Sequence, residues 1–151
     1  KKEGACMSPL DKEIIRKKLS VILENLNALK PLENMNIDDY ISDIYKRKAT
    51  ERLLQELIEA AIDINTHIIV QEGLNAPDDY YESFIKFGEL KIISPELAEK
   101  LAPSAGLRNR LVHEYDSLDN SIVLDAVKMA EELYPLYIKE IESHLSGYNK
   151  K

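Results

Sequence analysis

The chain has 151 residues, with 27 Asp and Glu against 20 Lys and Arg, for a net charge of −7. That length supports one domain with a substantial core, and a hydrophobic content of 44% excludes a disordered chain. The acidic balance argues against a general nucleic-acid coat, while leaving room for a local basic patch.

The lone Cys6 excludes an internal disulfide, and no Cys/His set at ligand spacing points to zinc. No metal and no cofactor are expected. No apolar run approaches the ~18 residues needed to span a membrane. Residues 1–6 lack the apolar stretch of a signal peptide and read as a cloning remnant before a natural start at Met7-Ser8-Pro9, and 1–7 are expected to form a disordered leader ahead of the domain. Residues 8–146 read as a single helical domain and 147–151 as a flexible tail, and the expected compartment is the cytoplasm.

Ser8-Pro9-Leu10-Asp11 carries the grammar of a helix start: a hydroxyl cap, proline in the first turn and an acid close behind. Ile15, Leu19, Ile22, Leu26 and Leu29 follow at gaps of 4, 3, 4 and 3, one apolar stripe. Lys30-Pro31 ends that helix. Residues 32–37 form a connector. Asp38-Asp39 then opens a long helix, with a bend expected near Tyr45 to Lys48. Leu53, Leu57, Ala61, Ile64 and Ile68 mark one apolar line on it. Leu54, Ile58, Ile62 and Ile69 mark a second, so this helix should touch several neighbours. Gly73 is its C-cap.

Asp78 is expected to begin a shorter helix carrying Tyr80, Tyr81, Phe84, Ile85 and Phe87, bounded by Gly88. Ser94-Pro95-Glu96 repeats the opening grammar, and the helical pattern runs on to Tyr115 with a kink or restart at Pro103. A last helix spans about Ser121 to Ser146, bent at Pro135 and ended by Gly147. There is no period-2 alternation. The fold class is all-α: an antiparallel up-and-down bundle of about five helices.

One stretch stands apart: Arg108-Asn109-Arg110-Leu111-Val112-His113-Glu114-Tyr115. On a helical wheel of about 100° per residue, with Arg108 at zero, Leu107, Leu111 and Leu118 fall at ~260°, ~300° and ~280° and define a core side. Asn109 and His113 fall at ~100° and ~140°, turned away from it. Arg108 and Tyr115 share a flank within about 20° of each other. Asn109 stands one turn before His113, where an amide can orient an imidazole. Arg108 and His113 are about 140° apart, so they converge only if the arginine bends round or a second subunit completes the site.

Arginine, histidine and an amide without metal ligands suit RNA cleavage through the RNA's own 2′-hydroxyl. Imidazole exchanges protons near neutral pH, such acid–base work contributes about 10²- to 10⁴-fold, and arginine can hold a phosphate bidentately.

Arg108-x4-His113-x-Tyr115, with Asn109 directly after the arginine, matches the R-x4-H-x-Y signature of the HEPN superfamily. The eight-residue string resembles the HepT toxin branch, and the helical layout agrees over residues 8–146. The resemblance implies a metal-independent endoribonuclease toxin. It further implies a homodimer whose motif helices face each other across a composite cleft. The implied antitoxin is a minimal nucleotidyltransferase of the MntA type that transfers AMP to the motif tyrosine. By position Arg108 and His113 would be catalytic, Asn109 supporting and Tyr115 the modified residue.

Other residues read more plainly. Lys46-Arg47-Lys48, with Arg52, is the densest basic run: a solvated face or, with Arg110, a patch that guides RNA. The ordinary alternative for Arg108 and Arg110 is ion pairing with Glu114 or Glu96. His67 reads as structural, His144 as exposed, and Glu131, Glu132 and Glu140 to Glu142 as surface. The tyrosines and phenylalanines of residues 80–87 read as core or dimer contacts. The competing function is a non-catalytic helical module that only docks a nucleotidyltransferase.

Overall fold

Helix starts in this chain are set by side-chain caps. The computed structural model describes residues 7–113 and 118–149, with side chains as far as Gly147. Ser8 Oγ accepts from the Asp11 amide at 3.0 Å and starts α1 (Pro9–Leu29). The five residues of the predicted stripe are buried, with Lys12 and Asn25 beside them on the same face. A 3-10 turn, Lys30–Leu32, ends it.

The next segment departs from expectation. Instead of one helix with a bend near Tyr45, there is a short α2 (Ile37–Ile41), a break at Ser42-Asp43, and then α3 (Ile44–Gln71). Asn36 caps α2 through its side chain, and Asp43 caps α3 by accepting from the Lys46 amide at 3.0 Å. Both apolar lines on α3 point inward, with Leu57, Ala61, Ile68 and Ile69 fully buried. α3 ends in a Schellman closure: Leu74 N–H reaches Ile69 C=O, Gly73 N–H reaches Val70 C=O, and Gly73 sits at φ +88°.

Asp79, one residue later than expected, caps α4 (Tyr80–Glu89). The same closure ends α4, but Lys91 takes the left-handed position at φ 61°. Gly88 is therefore inside the helix rather than at its boundary, and its role is steric. A Cβ there would stand 2.6 Å from Ala98 Cβ and 3.2 Å from Pro95 Cα, so glycine is what lets α4 lie against α5 (Pro95–Leu101). Ser94 caps α5, and its own amide donates to Glu140 Oε1 at 2.7 Å.

At Pro103 the chain restarts, as anticipated: α6 (Pro103–His113) follows α5 across Ala102 alone. α7 (Asn120–Asn149) runs unbroken through Pro135 and past Gly147, which was expected to end it. The described residues thus hold seven α-helices, because two of the five predicted helices are each divided in two.

Long-range pairs give the directions. Lys18–Asp63, Asn25–Leu53 and Asp11–His67 set α1 antiparallel to α3. Arg16–Glu142 and Lys30–Glu131 set α1 antiparallel to α7. The fold is the predicted all-α antiparallel bundle, and no described helix is long and apolar enough to cross a membrane.

Candidate active site

The motif lies on α6, and the wheel describes it well. Leu107 and Leu111 pack against the core, while Asn109, Arg110 and His113 are exposed. Leu118 is also buried, although it lies beyond α6. Tyr115 falls outside the described residues.

Arg108 goes where the sequence did not point. Its Nε donates to Glu59 Oε2 on α3 at 2.9 Å, with side-chain exposures of 17% and 33%. The acid that holds it stands 49 residues upstream rather than at Glu96, and Glu114, the other anticipated partner, lies outside the described residues. Gln55, one turn before Glu59, donates to the same carboxylate oxygen at 3.2 Å. The Arg108 guanidinium also lies 5.1 Å over the Tyr80 ring of α4, a cation–π contact. Residues of α3 and α4 thus hold one side chain of α6.

Asn109 serves this arginine as well. Its Oδ1 accepts from Arg108 Nη1 at 3.3 Å, rather than orienting His113 as the spacing predicted. Within one chain, then, Arg108 is turned toward α3 and α4 while His113 is turned to solvent; the two are not brought together. Arg110 faces Asp119. The Asp119 carboxyl is held below its usual range mainly by the Ser121 hydroxyl and amide, with the Arg110 charge a smaller cause.

The basic run divides on the α3 wheel. Taking Lys48 as zero, Arg52, Gln55 and Glu59 lie at ~40°, ~340° and ~20°, one line that ends at Arg108. Lys46 lies at ~160° and Arg47 at ~260°, both off that line. Lys48 and Lys46 are exposed, Arg47 is half-buried, and Arg52 pairs with Glu56 at 3.1 Å.

Several plain readings need adjusting. Phe84 and Phe87 are core residues, but Tyr80 and Tyr81 are exposed. His144 is half-buried rather than exposed, and burial holds its imidazole below the usual range despite the nearby Glu72. Glu131 is not a surface acid: its side chain is 6% exposed, and burial foremost raises its carboxyl. His67 is structural as read, bonded to Asp11 at 3.0 Å across the α1–α3 interface. Glu59, Gln55 and Tyr80 were missed. Glu59 and Gln55 left one weak signal, that α3 carries them in line with Lys48 and Arg52.

An all-α bundle bearing Arg-x4-His on a helix late in the chain defines a HEPN-type domain. Comparison with known proteins narrows this further. The family model "Ribonuclease HepT-like" matches residues 22–142. The chain is 45% identical over 139 residues to a tRNA nuclease HepT from Aphanizomenon flos-aquae, covering 92% of this chain and 95% of that protein. It is 34% identical over 90 residues to an mRNA nuclease HepT from Shewanella oneidensis, covering 60% and 68%. Among solved structures, it resembles a tri-AMPylated Shewanella oneidensis HEPN toxin in complex with its MNT antitoxin. The TM-score is 0.78 at 27% identity, over 91% of this chain and 99% of that one. A toxin–antitoxin crystal structure with AMP-PNP gives the same TM-score and identity over 87% and 98%. The chain belongs to the HepT-like family of ribonucleases.

Proposed function

We propose that this chain is the ribonuclease toxin of a toxin–antitoxin pair, acting in the cytoplasm on tRNA or mRNA. The observation that carries the reading is the nearly full-length 45% identity to a tRNA nuclease HepT. It is joined by the disposition of the motif, with Arg108 braced by residues of α3 and α4 and His113 and Asn109 presented to solvent.

The chemistry follows from those residue types. Arg108 holds the scissile phosphate and offsets the charge added in the transition state. His113 moves the proton between the 2′-hydroxyl, the phosphate and the leaving 5′-oxygen. Asn109 supports the arginine, and no step calls for a metal. Because Arg108 and His113 diverge on α6, the active species is a homodimer in which two motif helices face one another and complete a shared cleft.

The proposed partner is a nucleotidyltransferase of the MntA type that transfers AMP to Tyr115. The relatives' complexes with an MNT antitoxin and the tri-AMPylated toxin support this. An adenylyl group two residues from His113 adds bulk and negative charge where RNA phosphate must enter.

The test is incubation of purified protein with total tRNA, with and without EDTA, beside His113→Ala and Arg108→Ala. Cleavage that survives EDTA and is lost in both variants is the expected result. Equal inactivity of wild type and variants, with no AMP on Tyr115 by mass spectrometry, would overturn it and leave a docking module.

A further inference from the structure

We propose that Glu59 is a positioning residue for Arg108: it grips the guanidinium through Nε so that the terminal Nη1/Nη2 edge is aimed at the RNA phosphate. The inference rests on the ribonuclease reading for its consequence, though not for its geometry.

A guanidinium has five N–H donors in a rigid plane. In Arg108 the Nε–H goes to Glu59 Oε2 at 2.9 Å and one Nη1 hydrogen goes to Asn109 Oδ1 at 3.3 Å. These bonds engage the stem hydrogen and one of the two on Nη1. Among the described residues, both Nη2 hydrogens and the second on Nη1 are left for the oxygens of a phosphate. A carboxylate competing with RNA would instead take the terminal edge, or span the fork bidentately.

Glu59 is itself fixed. Gln55 Nε2 donates to the same Oε2 at 3.2 Å, from one helical turn away on α3. Tyr80 closes the remaining side, its ring 5.1 Å from Arg108 Cζ. Contacts from α3, α4 and the neighbouring residue on α6 thus define the plane of the guanidinium before substrate arrives. The part-buried pair contributes to stability as well, but a lone ion pair is a modest tie. Orientation is where such a bond acts, since a misplacement of about 1 Å can reduce a rate about 10²-fold.

Glu59→Ala removes both acceptor and charge, while Glu59→Gln keeps an acceptor for Nε–H. The expected result is a kcat about 10- to 100-fold lower in Glu59→Ala with KM little changed, and recovery of most of that loss in Glu59→Gln. A purely structural α3–α6 tie would instead lower the melting temperature without this kcat-against-KM split. Faster cleavage or tighter RNA binding in both variants would overturn the proposal and make Glu59 a brake. Unchanged kcat in Glu59→Ala would overturn it too.

A second readout separates this inference from the ribonuclease reading. The Arg108 Nε–H resonance in solution NMR, assigned by its loss in Arg108→Lys, should exchange slowly with water in the wild type. It should do so in Glu59→Gln and not in Glu59→Ala. If wild type shows no cleavage but this pattern holds, the grip stands and the nuclease reading falls. If the resonance exchanges as fast as that of a free arginine, the grip does not exist.

Discussion

The Tyr137 hydroxyl meets the Asn65 carboxamide oxygen at 2.6 Å, at a point in the core where neither residue has exposed surface. The same hydroxyl lies 3.1 Å from Ala61 C=O. Asn65 Nδ2 donates to Ser83 Oγ, which donates to Tyr80 C=O. This polar thread joins α7, α3 and α4 and ends on the backbone of the residue whose ring underlies Arg108. Tyr137→Phe leaves the Asn65 oxygen without its donor and should destabilise the fold by about 1–3 kcal/mol. Urea unfolding reads this directly; an unchanged midpoint would mean that the thread contributes nothing to stability.

Alkaline pH should unfold the protein through its buried phenols. Burial, with Glu51 adding, pushes Tyr40 up to about 12, and burial likewise raises Tyr134 and Tyr137. Unfolded tyrosines ionise near pH ~10. Below that value both states are protonated and these groups give no pH dependence. Above it the unfolded chain binds fewer protons, so stability falls toward the folded value. Each phenol contributes a slope of about 1.4 kcal/mol per pH unit, and the three together about 4. Urea titrations from about pH 9 to about pH 11 check the slope, and Tyr40→Phe should reduce it by about a third.

Gly88 and Gly106 should respond oppositely to alanine. At Gly88 the new methyl collides with Ala98 and the Pro95 backbone, and overpacking of this kind destabilises by about 1–3 kcal/mol. At Gly106, inside α6, the methyl meets nothing and should stabilise by up to about 1 kcal/mol. Thermal melts of the two variants give the sign; a Gly88→Ala protein as stable as wild type would show that α4 and α5 can part without penalty.

What the sequence conveyed well was local. Ser8-Pro9, Ser94-Pro95, Gly73 and Pro103 each act within one turn, and each did what its chemistry predicts. The break at Ser42-Asp43 was missed because no glycine or proline marks it; Asp43 caps a helix from within an otherwise continuous run. Gly88 and Lys91 were misread because a glycine near a helix end looks like a cap, whereas here packing claims the glycine and a lysine accepts the left-handed turn. The wheel placed Arg108, Asn109 and His113 on their faces correctly. It could not supply Glu59 or Tyr80, since a contact between residues 49 apart leaves no periodic trace.

The α3 wheel predicts which basic residues guide RNA. Lys48→Ala and Arg52→Ala should each raise KM for RNA several-fold, and Lys46→Ala should not. Each lost phosphate contact should also lower the slope of log affinity against log salt by about 0.7. Filter binding to a catalytically silent His113→Ala background, over a range of salt, measures this. Equal effects at positions 46 and 48 would break the proposed track.

The junction at Ala102-Pro103 has a further consequence. α5 is held against α4 through Gly88, and α6 begins one residue later with no loop between them. The rotational phase of the motif is therefore counted out from the α4–α5 contact, residue by residue. A single inserted residue at that junction would turn α6 by about 100° and advance it by about 1.5 Å, carrying Arg108 away from Glu59 without altering any residue of the motif. The site is thus keyed to chain length at one point as strictly as to side-chain identity.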